Sequence, residues 1–363
     1  MTTTLRNYVS LGRSGVRVSP LCLGAMTFGK DWGWGSEVEE SKQILDRYID
    51  LGGNFIDTAN GYTKGHSEAI LGEHIGRHSS RRDRLVIATK FLTNMYRGDP
   101  NGGGAGRKSL VSACENSLRR LQTEYIDLYW MHFWDPFTPI EETMRALDDL
   151  VAAGKVRYIG FSDTPAWKVA QAQTTALLKG WTPLIALQLE YSLLERTIEG
   201  ELIPAAQELG MGVTPWSPLK SGVLTGKYTR ESAKTATPGR GAFVSRGFTE
   251  HAFTVLDVLT KVAGEAGTTI ARAALAWVVQ RPGIASTIIG ARTMEQLEDN
   301  LGALAVTLTA DQIKALDDVS QPKLNFPHDF VNNARAFAYN GANIDGQVAG
   351  ENPLSPASDA ERY

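Results

Sequence analysis

IDLYWMHFWDPFTPIEETMRALDDLVAAGKVRYIGFS, residues 126–162, contains one full repeat of this protein's architecture. Its ends, IDLYWMH (126–132) and VRYIGFS (156–162), are short runs rich in β-branched and aromatic residues, each about a strand long. Between them PIEETMRALDDLVAAGK (139–155) has helical period. The strands are apolar nearly throughout rather than alternating, which predicts a sheet buried on both faces. A helix between successive strands makes that sheet parallel.

Working outward, the same unit recurs. Upstream lie LCLGAM from Leu21, NFIDTA from Asn54 and LVIATK from Leu85; downstream lie LIALQLE from Leu184, MGVTPW from Met211 and STIIG from Ser286. Helical segments intervene: SEVEESKQILDRYIDLGG (36–53), KSLVSACENSLRRLQ (108–122), PAWKVAQAQTTALLKG (165–180) and IEGELIPAAQELG (198–210). The first opens with Ser36 as expected N-cap and Glu39 three residues on, and places Ile44, Leu45, Tyr48, Ile49 and Leu51 largely on one face before Gly52 and Gly53. Eight strand–helix units close most naturally into a (β/α)8 TIM barrel. NYVSLGRSGVRVSP (7–20) reads as a β-hairpin around Arg13, Ser14 and Gly15 that caps the barrel's bottom.

A barrel of this kind runs to about 250 residues or more as one domain, so residues 1–320 are expected to form a single catalytic domain. Residues 321–363 then form a C-terminal extension, partly ordered, with NPLSPASDAERY expected to be disordered. The stretch from Lys220 to Gly247 lacks periodicity and reads as an extended loop after the seventh strand. A formal charge of -3 and no basic block leave no footprint for nucleic acid. Cys22 and Cys114 read as reduced, buried thiols. Without a signal-like N-terminus or a membrane-length apolar run, the expected location is cytoplasmic, with no membrane partner.

Polar residues that would be costly inside an apolar strand cluster at strand C-terminal ends: Asp57 and Tyr62 after the second, Lys90 on the third and His132 on the fourth. In a barrel these positions converge on one mouth. A free tyrosine has a pKa of about 10 and gives up its proton near neutrality only with roughly 4 kcal/mol of help. That exceeds what an exposed ion pair contributes, so the site must be partly desolvated. Lys90 would stabilise the phenolate, Asp57 would hold Lys90 charged, and His132 would orient the substrate oxygen or share the proton relay.

With DTANGY (57–62) followed by SEAILG (67–72), ATK ending at Lys90, and SLRRLQTEYIDLYWMHFWD (117–135) carrying His132, the chain resembles the aldo-keto reductases. The resemblance runs from the N-terminal hairpin to LGAL (301–304). It implies a catalytic tetrad of Asp57, Tyr62, Lys90 and His132. It also implies reduction of aldehydes or ketones to alcohols, with NADPH bound first, hydride passing from nicotinamide C4 to the carbonyl carbon, and the proton coming from Tyr62. Carried over position by position, it places Ser162 of GFSD, Gln188 of LQLEYS and Trp216 of PWSPL around the nicotinamide. Ser217, Pro218, Leu219, Gly222 and Leu224 follow the pyrophosphate path. In IIGARTMEQLEDN (288–300), Gly290, Arg292, Gln296 and Asn300 resemble the adenosine phosphate site, and Gly24, Thr27 and Asp57 complete the cofactor contacts. The planar, permanently charged guanidinium of Arg292 suits a 2'-phosphate, which favours NADPH over NADH. One position departs from the family. Asp163 stands where asparagine is common; a carboxylate accepts hydrogen bonds without donating them, so the nicotinamide amide can still donate to it and Asp163 is expected among the cofactor contacts.

Other patterns carry less. NGGGAGRKS (101–109) has Arg107 where a phosphate loop requires glycine. His74 and His78 are spaced like zinc ligands, but Ile75 stands where that motif has glutamate, so a surface pair is expected and no metal. No GxGxxG follows a strand, so a Rossmann domain is not supported. Phe28, Trp32 and Trp34 follow the first strand and read either as a substrate pocket for bulky or aromatic carbonyls or as packing of a loop. A nicotinamide-sensing subunit of the channel-β type, with the same tetrad and weak turnover, is the alternative function. The sequence leaves the physiological substrate open, and a homo-oligomer is compatible with it.

Overall fold

The computed structural model describes residues 3–77, 79–235 and 247–362. They divide into two compact units, Met1–Gln321 and Pro322–Tyr363.

In the first unit eight strands form one sheet: β1 (Leu21–Gly24), β2 (Phe55–Asp57), β3 (Val86–Phe91), β4 (Ile126–Met131), β5 (Val156–Ser162), β6 (Leu184–Glu190), β7 (Gly212–Trp216) and β8 (Thr287–Gly290). Neighbours pair in parallel in the order β8-β1-β2-β3-β4-β5-β6-β7. The ring closes where Val213 N donates to Gly283 O (3.2 Å) and Ala285 N donates to Val213 O (2.8 Å). The fold is thus the (β/α)8 barrel that the strand pattern predicts.

Side chains pointing into the barrel form a core of their own. Cys22, Phe55, Val86, Leu128, Trp130 and Ile288 meet there with Leu11 and Val18 of the N-terminal hairpin, Val9–Ser10 paired with Arg17–Val18. The hairpin therefore plugs the end at which the strands begin. Its turn is pressed against the barrel: a Cβ on Gly12, whose φ is +60°, would come within 2.2 Å of Ile185 O. Trp130 spans the interior because Gly160 faces it, and a Cβ there would lie 2.4 Å from the indole. The larger core lies between strands and helices, where Ile44, Leu45, Leu147 and Trp277 bury their side chains. Both cysteines are buried and free.

Several local expectations change. The Val38–Asp50 helix starts after Glu37, with no side-chain cap. Ser36 Oγ donates instead to Arg292 O (3.1 Å), 256 residues away, so tertiary bonding takes the hydroxyl that a local cap would use. The segment 198–210 shortens to a 3-10 turn, Thr197–Glu199, and a helix, Leu202–Glu208. His74 is not a loose surface residue: its Nε2 lies 2.8 Å from Asp46 Oδ1, which also pairs with Arg81. Its sequence partner His78 lies outside the described residues. Of the Lys220–Gly247 loop, 3-10 turns form at Lys220–Thr225 and Ser232–Thr235, and residues 236–246 lie outside the described residues.

The second unit contains a helix, His328–Tyr339, that the scattered aromatics of this segment did not announce. A two-residue pairing of Asn343–Ile344 with Gln347–Val348 follows it.

Candidate active site

Asp57 ends β2, Lys90 lies one residue from the end of β3, and His132 follows β4, so the ring brings all three to the mouth at the strands' C-terminal ends. Tyr62 reaches the same place on a strained turn. The two residues after it, Thr63 (φ +46°) and Lys64 (φ +61°), adopt the left-handed backbone that costs side chains of this kind on the order of 1 kcal/mol or more each. Compensating bonds hold the turn: Thr63 Oγ1 donates to Phe28 O (2.9 Å) and accepts from Ser67 N (2.9 Å), while Ser67 Oγ donates to Ala25 O (2.7 Å). The first loop thereby positions the phenol.

Lys90 is wholly buried and spends its three donors on Asp57 Oδ2, Thr58 O (2.8 Å) and Tyr62 Oη (3.2 Å). Asp57 Oδ1 accepts from Gln188 Nε2 (2.9 Å), which ties β6 into the cluster. Burial pulls the Lys90 pKa down, but the facing Asp57 and Tyr62 outweigh it and leave it raised, so the ammonium stays charged. Tyr62 moves opposite to the expectation: burial raises its pKa, and Lys90 offsets only part of that. Burial outweighs the Lys90 charge, and the nearby Asp57 carboxylate adds a smaller rise. Burial, and secondarily Lys90, hold His132 at about 3, so its ring is neutral at physiological pH. The imidazole meets the Tyr62 ring edge-on at 5.6 Å, and its buried Nδ1 has no hydrogen-bond partner.

Around this cluster Trp32 stands edge-on to Tyr62 at 6.3 Å and against Trp34 at 5.4 Å. Phe28 does not join them; its ring is fully buried in the helix-side core and its carbonyl serves the Tyr62 turn. Phe133, which the sequence reading passed over, lies 5.8 Å from His132 and is half exposed. The signal was available in the aromatic pair directly after the histidine.

The cofactor candidates fall on the same rim. Ser162 pairs in register with Gln188, and Glu190 with Trp216, at the ends of β5, β6 and β7. Asp163 Oδ1 accepts from Trp216 Nε1 (3.1 Å), and its Oδ2 accepts from Ser162 Oγ (3.2 Å). Ser217 (φ +53°) and Gly222 (φ +94°) bend the following loop, and Ser217 Oγ accepts from Ser221 N (3.1 Å). Pro218 is buried, Leu219 partly buried, and the Leu224 side chain sits in the core, which leaves only its backbone for a ligand. On the opposite arc Gly24 and Gly290 are register partners, and Thr27 Oγ1 donates to Ala291 O (3.0 Å). Gln296 Oε1 accepts from Arg292 N (2.9 Å), and Asn300 Nδ2 donates to Gly290 O (3.1 Å). Arg292 Nε is buried without a hydrogen-bond partner, and the space a Cβ on Gly290 would fill is open. An unsatisfied guanidinium nitrogen beside an open backbone fits an anionic group such as a nucleotide phosphate. Among the described residues no group of three or more His, Cys, Asp or Glu side chains could hold a metal ion, and no helix is long and apolar enough to cross a membrane.

A parallel barrel whose mouth gathers a buried carboxylate and ammonium, a partly buried phenol and a neutral imidazole has the groups needed to move a proton at a polarised oxygen. The chain belongs to the aldo/keto reductase family, whose model matches residues 20–321. It is 38% identical over 321 residues to the uncharacterized oxidoreductase YrpG of Bacillus subtilis (strain 168), covering 86% of this chain and 95% of that protein. An aryl-alcohol dehydrogenase, GME11368, of Pestalotiopsis microspora is 38% identical over 328 residues, 87% of this chain and 82% of its own. Norsolorinic acid reductase B of Aspergillus parasiticus is 38% identical over 326 residues, 87% of this chain and 84% of its own. The family and these oxidoreductase relatives support carbonyl reduction as the activity.

Proposed function

We propose that the barrel unit is an NADPH-dependent reductase of aldehydes and ketones in which Tyr62 is the proton donor. The observation that carries this reading is the 3.2 Å bond from Lys90 Nζ to Tyr62 Oη inside the buried cluster with Asp57. A bound NADPH supplies the hydride that reaches the carbonyl carbon. As negative charge develops on the carbonyl oxygen, Tyr62 passes its proton to that oxygen and is left as a phenolate beside Lys90. Burial alone would hold the phenol proton, so the lysine charge, maintained by Asp57, is what makes the transfer feasible. Neutral His132 retains one ring N–H that can hydrogen-bond the same oxygen.

Ser162, Asp163, Gln188 and Trp216 would hold the nicotinamide, and Ser217, Pro218, Leu219, Gly222 and Leu224 the pyrophosphate path. Gly24, Thr27, Gly290, Arg292, Gln296 and Asn300 would complete the cofactor site, with Arg292 on the 2'-phosphate. Trp32 and Trp34 would wall the pocket against a bulky or aromatic carbonyl, and the name of the aryl-alcohol dehydrogenase relative points the same way. The regulatory alternative retains the tetrad, but the oxidoreductase relatives weigh against it.

Fluorescence titration with NADPH and NADH, followed by an absorbance assay with 4-nitrobenzaldehyde, tests the reading. NADPH is expected to bind about tenfold or more tighter, the worth of one charge-assisted contact, and to be oxidised only when aldehyde is present. Binding without turnover would favour the sensing subunit, and no binding of either nucleotide would overturn both.

A further inference from the structure

We propose that Asp163 sets which oxidation state of the nicotinamide this protein holds more tightly, its carboxylate favouring the cationic oxidised ring over the neutral reduced one. The inference rests on the nicotinamide site assigned above and concerns a position where the family commonly carries an amide.

Asp163 follows β5 in left-handed backbone, φ +39°, a conformation that aspartate and asparagine tolerate better than most side chains. Its main chain is pinned on both sides, N donating to Gln188 O (3.1 Å) and O accepting from Trp134 N (3.3 Å). Its side chain is aimed by Trp216 Nε1 on one oxygen and Ser162 Oγ on the other. The two residues expected to flank the nicotinamide therefore both point their hydrogens at this carboxylate, which fixes a negative charge within the site. No cation cancels it among the described residues. Lys220, on the loop after β7, is taken by Glu190 at 2.7 Å. The charge also reaches the reacting groups, because Asp163 is one of the influences that raise the Tyr62 pKa. An oxidised nicotinamide ring carries a positive charge and a reduced one does not, so a fixed, unpaired carboxylate beside the ring distinguishes the two by Coulomb attraction.

The Asp163 carboxyl is pushed up to about 6, mainly by desolvation and also by Glu190, with the Trp216 and Ser162 bonds opposing. The residue is nevertheless exposed at the mouth, where solvent screens part of its charge, so a moderate effect is expected. The charged and titratable groups facing it are Glu190 with its partner Lys220, and Tyr62 with Lys90 and Asp57 behind it. His132 at the same mouth stays neutral down to about 3. The discrimination is therefore full at pH 8 and fades as Asp163 takes up a proton below about 6.

The test is direct binding without substrate: dissociation constants for NADP+ and NADPH by calorimetry at pH 8 and pH 5, for wild type and Asp163→Asn. Asparagine keeps the shape and the left-handed backbone and removes the charge. The 2'-phosphate is common to both ligands and cancels in their ratio. At pH 8 the substitution should weaken NADP+ relative to NADPH by about tenfold. The wild-type ratio should drift in the same direction between pH 8 and pH 5, and the variant's should not. Measurable binding of both nucleotides with an unchanged ratio at pH 8 would overturn the proposal while leaving the cofactor site standing. Failure of wild type to bind either nucleotide would remove the cofactor reading and this inference together.

Discussion

Arg82–Asp127 and Lys90–Asp57 are buried ion pairs at opposite ends of the same barrel, and what matters between them is where each cation's remaining bonds end. At the end where the strands begin, Arg82 is 2% exposed and pairs with Asp127 at 2.7 Å. Its remaining donors go to Thr123 Oγ1 (3.1 Å), Leu85 O (3.2 Å) and Tyr125 O (2.7 Å), while Asp127 also accepts from Ile87 N (3.0 Å). Apart from the carboxylate, every acceptor there is a hydroxyl or carbonyl that does not titrate in the physiological range. At the mouth, Lys90 is equally buried, but one of its three bonds ends on the Tyr62 phenol. The first pair locks strands together; the second holds a removable proton against a charge. Burying a charge is costly at both ends, and the identity of the last acceptor separates a clamp from the cluster proposed to act on substrate.

The comparison breaks most visibly at that acceptor. Tyr62→Phe should reduce kcat for 4-nitrobenzaldehyde by about 10³-fold or more, at the upper range of general acid catalysis, with NADPH affinity nearly intact. Appreciable residual turnover would remove Tyr62 from its role. Next come the two cations. Lys90→Met and Arg82→Met each strand a buried carboxylate, and each should lower stability to urea by about 3–5 kcal/mol. Their activities should part: the folded fraction of the Lys90 variant should lose about 100-fold in kcat, and that of the Arg82 variant less than about twofold. Equal activity loss would mean that both pairs act only through the fold.

His132 sharpens the same point through pH. Burial holds its pKa at about 3 against an ordinary 6.5. The unfolded chain therefore takes up a proton that the folded protein refuses, and stability present above about 6.5 is lost as pH falls towards 3. His132→Asn should flatten that loss by on the order of 2 kcal/mol between about pH 6.5 and 4.5. Urea midpoints across that range would check it, and parallel curves would place the imidazole in water. The smallest effect belongs to the aromatic wall: replacing Trp32 and Trp34 by Ala should raise KM for aromatic aldehydes roughly fivefold more than for small ones, about 1 kcal/mol of ring contact. Equal changes in KM would return both rings to loop packing.

Much of this was legible in the chain itself. Eight apolar runs separated by helical period led to the barrel, and polar residues at the ends of three of the strands pointed to its mouth. The readings that failed depended on partners distant in sequence. Ser36 was read as a helix cap from its neighbours, but its hydroxyl is taken by Arg292 O from the other end of the chain. Lys90 beside the phenol predicts a lowered Tyr62 pKa, and it rises because burial, and after it Asp57, act on the same phenol. Between the two roles open to the first-loop aromatics, pocket wall and loop packing, Phe28 turns into the core while Trp32 faces Tyr62.

By itself, the sequence determined which runs are apolar on both faces, the order of the barrel strands and which titratable groups sit at strand ends, because periodicity reports burial locally. Only ring closure decided that Gln188 reaches Asp57 across 131 residues, that Ser162 and Trp216 converge on Asp163, and that Lys90 reaches the Tyr62 hydroxyl. Hydrogen bonds and charge effects act over a few ångströms in space, and distance along the chain carries no record of which ångströms those are.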